Sequence, residues 1–505
     1  MAEGVMPHLA RVCATGARAK LRSTPLPITP QAWTTMATGR SMGAHGFHDF
    51  VRVEFASQGP LLRFNSSADR QCEYVWKYAS RHNQRATVLN YIGVAPPEPI
   101  NGHTMPGFVP GRHLRRSSYP SDLFDRLSGV GKLDVSVLGL ELDTEKQSLA
   151  QLPAEQWLPY IDHHIEREQA WFGILEHLML NEPSDLTAIV FDGVDKLQHL
   201  AYRFLDPAYI PPHPTSWERQ VIERCRDYFR QVDRFLGRVL EIVGESGRVF
   251  IASDHGFTAT TEIVYINKFL HDQGLLKWKT AVPEDHDESI VVDRLTRYLD
   301  VYDWEHSKAF ALTPSSNGIY IINVAPAEYE SFREELIDTL YSLRGPDGGQ
   351  IVTDIKKREE WFAGPFMNRA ADLTLTVRDH GFLSVLNASA PVVARSAPAG
   401  THHPDGVLMA YGPGIRQGAR IELRNILDVA PLLAHSLELE IPADYEGEFP
   451  ANFYQAEYLR EHPACVAGAS SRTMVEQADE DAYLELDEAD EAVLLDRLRS
   501  LGYIE

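Results

Sequence analysis

The chain has 505 residues, 44% hydrophobic and 24% charged, with a formal net charge of −23. This is the composition of a soluble globular protein with a large core, and its acidity argues against a nucleic-acid polymer as the main partner, since phosphate backbones need a basic footprint. A small anionic substrate drawn to bound cations stays open. Cys13, Cys72, Cys225 and Cys465 are far apart and form no C-x-x-C pair. Neither a zinc ribbon nor a disulfide framework is indicated, which fits a reducing, cytoplasmic compartment. There is no apolar run of transmembrane length and no signal-peptide core after Met1, so no membrane segment is expected. Oligomeric state is not legible.

In chain order, Met1 to about Lys20 reads as a helix and its exit, with Leu9 and Val12 on one side. Dense turn chemistry follows from Arg22 to Gly39. Thr29 precedes Pro30 and should be extended, while Pro30 opens a helix through Trp33 and Met36. The Thr29 hydroxyl then lies at a helix N-terminus, either as a plain cap or as a group facing an anion. Tyr74–Asn83 reads as a helix and Ala86–Ile92 as a strand. Pro96–Tyr119 is a long loop whose Arg112, Arg115 and Arg116 either meet a phosphate or form a solvated basic turn. Val135–Leu140 is a strand candidate, and Ile161–Leu180 is a long helix with His163 and His164 on its exposed face.

Thr187–Gly193, T-A-I-V-F-D-G, is a buried-strand pattern followed by Asp195 and His199. Four residues make one helical turn, so this carboxylate and imidazole face the same way if the segment is helical. Val232, Phe235, Leu236, Val239, Leu240 and Val243 mark an amphipathic helix. It leads into the strand Arg248–Ser253, which ends in Asp254-His255-Gly256. Such alternation implies α/β architecture with helices on both faces of a sheet, and ligands then bind at the carboxyl ends of the strands. From 266 to 395 the pattern loosens; Gly318–Val324, Glu330–Leu343 and Leu373–Val377 suggest an inserted α+β subdomain forming one wall of the substrate cleft. Gly400–Gly406, containing His402 and His403, leads into another short apolar strand. The segment 476–505 reads as an acidic tail and a docking helix built on Val493, Leu494, Leu498 and Leu501. The whole of 1–505 is taken as a single α/β domain without internal repeats.

Each Asp/His cluster alone could be structural, because an i, i+4 pair is usually a solvated face. Three of them at strand ends, offering nitrogen and oxygen donors, point to divalent transition metals.

The order Thr29, Asp195/His199, Asp254-His255, His402 resembles the alkaline phosphatase superfamily, and within it the type I phosphodiesterase/nucleotide pyrophosphatase branch. The resemblance also rests on T-P-Q-A-W-T-T-M-A-T-G-R-S-M-G-A-H-G-F-H-D-F, D-W-E-H-S-K-A-F, G-T-H-H-P-D-G-V and the closing L-R-S-L-G-Y. It implies a three-layer αβα sandwich around a mostly parallel central sheet. It further implies two divalent metals, the first on Asp195, His199 and His402, the second on Asp254, His255, the nucleophile Thr29 and one further Asp near the amino terminus. Mixed His/carboxylate ligation favours zinc, with manganese second. The implied activity is hydrolysis of phosphate diesters or pyrophosphates, a small phosphate-ester substrate passing through a covalent phospho-threonine.

Sulfatases share this layout but need a C/S-x-P-x-R motif, which none of the cysteines or serines provides. A phosphomutase or phosphomonoesterase is the nearest enzymatic alternative, and a non-catalytic binding or scaffold module is the alternative from another class. The latter is favoured by one departure from the family pattern. The resemblance implies a first strand ending in Asp-Gly ahead of a phrase like Met6-Pro7-His8-Leu9, yet only five residues precede Met6. A strand of about 5–6 residues, its Asp and most of a helix do not fit there. The expectation is therefore that Met1 is internal to a longer chain, which reopens the question of a signal peptide, and that the strands flanking the first strand have unpaired backbone.

Overall fold

Gly16 divides the amino-terminal segment into a helix and a strand, in a computed structural model that describes residues 4–56, 59–131, 133–139, 153–279, 301–313 and 316–468. Helix α1 is Pro7–Thr15, and strand β1 is Ala17–Arg22. The expected helix is thus present, and what was read as its exit toward Lys20 is a strand. A Cβ on Gly16 would lie 2.3 Å from the carbonyl oxygen of Ala410, so the backbone is pressed against a strand where no side chain fits. Beyond it Ala17, Ala19 and Leu21 are buried, while Lys20 and Arg22 are exposed, the two-residue period of a strand with one covered face. Helix α2, Thr29–Thr38, starts after Ile28 in extended conformation; Thr29, expected to be extended before Pro30, is instead already the first helical residue, with Pro30 in the first turn, where its missing N–H costs nothing.

The central layer consists of two half-sheets. One contains β2 (Ala86–Tyr91), β3 (Gly102–Pro106) and, after helix α3 (Ala154–Asn181), β4 (Leu186–Ile189). Their order is β3-β2-β4, and all three are parallel. Helices α4 (Gly193–Leu205) and α5 (Ser216–Val243) then lead to β5 (Val249–Ala252). The long strands β6 (Gly256–Tyr265) and β7 (Val392–His403) form an antiparallel ribbon, followed by β8 (Asp405–Tyr411), β9 (Arg420–Asn425) and helix α6 (Val429–Ser436). The second half-sheet has the order β9-β1-β8-β5, with β8 antiparallel to both β1 and β5.

Helices cover both faces of both halves. On β8, Leu408 and Ala410 join the cluster containing Met36 of α2 and Val429 and Leu432 of α6. Met409 packs on the opposite side with Val12 of α1 and Leu236 and Leu240 of α5. The other half-sheet repeats this arrangement, with Val88 on the α2 side and Leu89 among Trp171 and Leu175 of α3 and Phe235 of α5. The αβα layering expected from the sequence is present. Its middle layer is split, because among the described residues no strand pairs with the edges of β4 and β5 that face each other.

Several local expectations are corrected. Leu133–Gly139 holds no strand; the Asp134 carboxylate accepts from the backbone and hydroxyl of Ser136, 3.0 and 2.6 Å away, and this local turn competes with extended pairing. The Pro96–Tyr119 loop contains β3 and a short helix, Gly111–Leu114. Arg112, Arg115 and Arg116 are exposed there, Arg115 pairing with Asp125 at 2.9 Å, as suits a solvated basic turn. His164 is fully buried instead of facing solvent, since α3 is enclosed by the sheet, α4 and α5; its ring meets Tyr160 edge-on.

Within 266–395, a four-stranded sheet takes the order 352–357, 373–377, 318–321, 309–310 and packs with helix Tyr329–Tyr341 on a core of its own. The tail 476–505 lies outside the described residues. All four cysteines are free thiols. Among the described residues no helix is long and apolar enough to cross a membrane.

Candidate active site

Five chemically capable side chains meet where the carboxyl ends of β4 and β5 approach β7. Asp195 lies in the first turn of α4 and His199 one turn later. Asp254 and His255 follow β5, and His402 is the penultimate residue of β7. The distances from Asp195 Oδ1 to the Nε2 atoms of His402, His199 and His255 are 3.3, 3.4 and 3.8 Å. His199 Nε2 and His402 Nε2 are 2.9 Å apart, and His255 Nε2 is 3.2 Å from Asp254 Oδ2. Thr29, at the start of α2, lines the same cavity as Asp195, Asp254 and His255.

The other nitrogen of each imidazole is held by a backbone carbonyl. His402 Nδ1 donates to Pro27 at 2.6 Å, His255 Nδ1 to Gly256 at 3.1 Å and His199 Nδ1 to Gly400 at 3.3 Å. A proton fixed on Nδ1 leaves the Nε2 lone pair facing the cluster, the tautomer a metal ligand needs. The backbone makes this geometry possible at Gly400, where a Cβ would sit 2.2 Å from the Gln198 carbonyl oxygen, so β7 lies directly on α4.

Electrostatics agree with this arrangement. Burial alone would raise the Asp195 carboxyl, but the adjacent His199 and His402 hold it well below the usual carboxylate range. Burial, reinforced by neighbouring His255, pushes His402 down to about 3. His255 is raised, since Asp254 and then Asp195 outweigh its burial.

Two atoms decide whether a cation fits. Asp195 Oδ1 and His255 Nε2 are buried and make no hydrogen bond, a costly arrangement unless something else satisfies them. Asp195, His255 and His402 each offer one donor atom within 4.8 Å of the others. One carboxylate oxygen and imidazole nitrogens are donors suited to a divalent transition metal. The expected grouping put His255 with Asp254, Thr29 and a further Asp, apart from Asp195; in the structure it faces Asp195 as well as Asp254. His403 points elsewhere, its Nδ1 accepting from the Asp405 amide at 3.0 Å and its ring meeting His380.

A buried polar cluster beneath the site went unrecognised in the sequence. Asp192, at the end of β4, accepts from Arg167 and from Asn90 Nδ2 at 3.0 Å, with Lys196 at 3.4 Å. Glu168 Oε1 accepts from the Gly193 amide at 2.8 Å and from the Tyr228 hydroxyl at 3.1 Å. The signal was there: Ile161, His164, Glu168, Trp171, Leu175 and Leu178 follow the three-and-four spacing of one buried helix face, so Glu168 interrupts an apolar stripe.

Phosphonoacetate hydrolase from Sinorhizobium meliloti, solved in complex with phosphonoformate, superposes with a TM-score of 0.50 at 14% identity, covering 86% of this chain and 91% of that one. Murine ectonucleotide pyrophosphatase/phosphodiesterase 5 gives a TM-score of 0.47 at 15% identity, covering 89% and 94%. No curated protein sequence matches significantly. The chain thus shares the fold of the phosphonoacetate hydrolase structure. Over residues 1–405 the sequence matches the type I phosphodiesterase/nucleotide pyrophosphatase family, and the chain belongs to that family.

Proposed function

We propose that the chain hydrolyses phosphate diesters or pyrophosphates with Thr29 as nucleophile and divalent cations held by the Asp/His cluster. The observation that carries this reading is the convergence of three imidazole Nε2 atoms on Asp195 Oδ1, each ring fixed through Nδ1 by a carbonyl. Asp195, His199 and His402 form one ligand set; Asp254 and His255 form the second, with Thr29 beside it. The donors favour zinc, then manganese. Cations bound there would act as Lewis acids, acidifying the threonine hydroxyl and neutralising charge on the phosphoryl oxygens.

The protein's own groups then do the rest. Thr29 Oγ bonds to phosphorus, the leaving oxygen departs with the electron pair of the broken P–O bond, and the hydroxyl proton is lost to solvent. Thr29 opens α2, whose dipole favours the phosphoryl negative charge at that end. Water then attacks phosphorus, the threonyl oxygen leaves, and the hydroxyl is restored.

A second reading, a single cation shared by all five side chains in a binding module, is favoured by His255 facing Asp195 as well as Asp254. The deciding experiment measures turnover of bis-p-nitrophenyl phosphate alongside elemental analysis. Turnover lost on chelation and regained with zinc or manganese is expected. Turnover indifferent to both would sink the two-metal reading, and one tightly held ion without turnover would favour the binding module.

A further inference from the structure

Helix α4 carries Asp195 and His199, so where it begins decides where those two groups stand. The first amides of a helix have no partner inside it, and an Asp just ahead of the first helical residue ordinarily accepts from one of them. Asp192 holds that position in α4 and makes no such bond. Its backbone is already helical, with φ −78° and ψ −14°, and its carboxylate is taken by Asn90, Arg167 and Lys196. The acceptor comes instead from another helix. Glu168 of α3, fully buried, accepts from the Gly193 amide on Oε1 at 2.8 Å. The same oxygen accepts from the Tyr228 hydroxyl of α5 at 3.1 Å, so one carboxylate ties three helices together at the start of α4.

The first residue of α4 is shaped to this tie. A Cβ on Gly193 would lie 2.6 Å from Tyr228 Oη and 3.0 Å from Glu168 Oε1, so only glycine lets both groups stand so close to the amide. Further along, α4 departs from helical geometry at Ala201, with φ −116° and ψ 17°, two residues beyond His199. The distal part of the helix therefore does not dictate the path of its first two turns. Leu197 packs those turns into an apolar cluster, but apolar burial is non-directional and leaves rise and rotation about the axis open. The directional contacts are Glu168 at the first amide and Gly400 of β7 against the Gln198 carbonyl. We propose that Glu168 is a positioning residue for the cation ligands. By accepting from Gly193 it sets the rise and rotation of α4 at which Asp195 Oδ1 meets the three imidazoles, acting through the backbone and not on the cation. This rests on the reading of Asp195 and His199 as ligands.

The test compares Glu168→Gln, which keeps an oxygen for the amide, with Glu168→Leu, which has none, in the 505-residue protein. Zinc affinity is read by competition with a chromogenic chelator, and urea unfolding without metal reads stability. Glu168→Leu is expected to lose about ten-fold in zinc affinity, with Glu168→Gln within about two-fold of wild type. Hydrogen exchange over Gly193 to His199 in the metal-free protein should be faster in Glu168→Leu and unchanged in Glu168→Gln. Should Glu168→Leu not fold, Gly193→Ala makes the same comparison, since its methyl displaces the carboxylate from the amide while keeping every polar group of the cluster. Wild-type zinc affinity in the variant that lacks the bond, whatever its urea midpoint, overturns the proposal, and so does an equal loss in Glu168→Gln. Failure of the ligand reading looks different: the wild-type protein itself then takes up no zinc, and the positioning role falls with it.

Discussion

The rings of His255 and His402 are stacked, with centroids 3.4 Å apart and planes 20° from parallel. His402 also lies 3.3 Å from Asp195, and its Nδ1 is tied to the carbonyl of Pro27, two residues ahead of Thr29. One imidazole thus links β7, the segment after β5 and the approach to the nucleophile.

Removing that imidazole should be far more damaging than removing its neighbour. His402→Ala is expected to lower zinc affinity by at least about 100-fold, the upper range for partners one step removed from a metal. His403→Ala, whose ring faces His380 and the Asp405 amide, should change it by only a few-fold. Competition titration with a chromogenic chelator compares the two, and equal losses would refute the assignment.

Thr29→Ala is expected to abolish turnover by several orders of magnitude with the unfolding midpoint little changed, because the helix keeps its Pro30 start and the lost hydroxyl is small. Thr29→Ser should retain measurable activity and trap a phospho-serine on acid quench, read by mass spectrometry. A fully active Thr29→Ala protein contradicts the nucleophile assignment.

Gly400→Ala probes the support of the ligands. The new methyl would meet the Gln198 carbonyl oxygen at 2.2 Å, forcing β7 away from α4 and breaking the Gly400–His199 hydrogen bond. A drop in metal affinity of about 10–100-fold is expected, with the residual stoichiometry unchanged. Isothermal titration with zinc reads both quantities.

Glu168 carries the pH prediction. Burial, then the charge of Asp192, pushes its carboxyl up to about 8. A carboxyl raised in the folded state binds its proton more tightly there than when unfolded, so stability is lost as pH rises from the ordinary carboxylate range to about 8. Glu168→Gln keeps an oxygen for the Gly193 amide and the Tyr228 hydroxyl and has no proton to lose. Urea unfolding between pH 5 and pH 8 should show a shallower decline for the variant, with its relative advantage greatest at the high end. Parallel curves for the two proteins would contradict the raised carboxyl.

The site was more legible in the sequence than the sheet that carries it. Asp195/His199 and Asp254-His255 sit at ends of apolar runs, and strand ends are set by local pattern, so their place in the fold followed from reading neighbours. That His255 also faces Asp195 did not follow, since it depends on how β5 and α4 are placed by residues far away in the chain. β1 was hidden by brevity. The alternation A-R-A-K-L-R is only six residues long and follows a helix directly, and Gly16 is readable as a stop only when the carbonyl of Ala410 is seen against it. β3 lay inside a Pro- and Gly-rich stretch whose turn residues outweigh five residues of strand. Glu168 and Arg167 were passed over because charged residues on a long helix are usually solvated, and only the enclosure of α3 buries them.

The ribbon of β6 and β7 contains its own slack. Ala394 pairs with Glu262 and Ala399 with Thr260, so four residues, Arg395 to Pro398, stand opposite a single one. On the site side of this bulge the register runs unbroken from Ala399 to His403. Alternate residues there point to opposite faces, and a slip of one position would rotate His402 out and bring Thr401 or His403 toward Asp195. A residue deleted between Arg395 and Pro398 draws only on the surplus, while one deleted between Ala399 and Thr401 erases the imidazole from the cluster without touching its codon. Length variation should therefore be tolerated on one side of Ala399 and eliminated on the other.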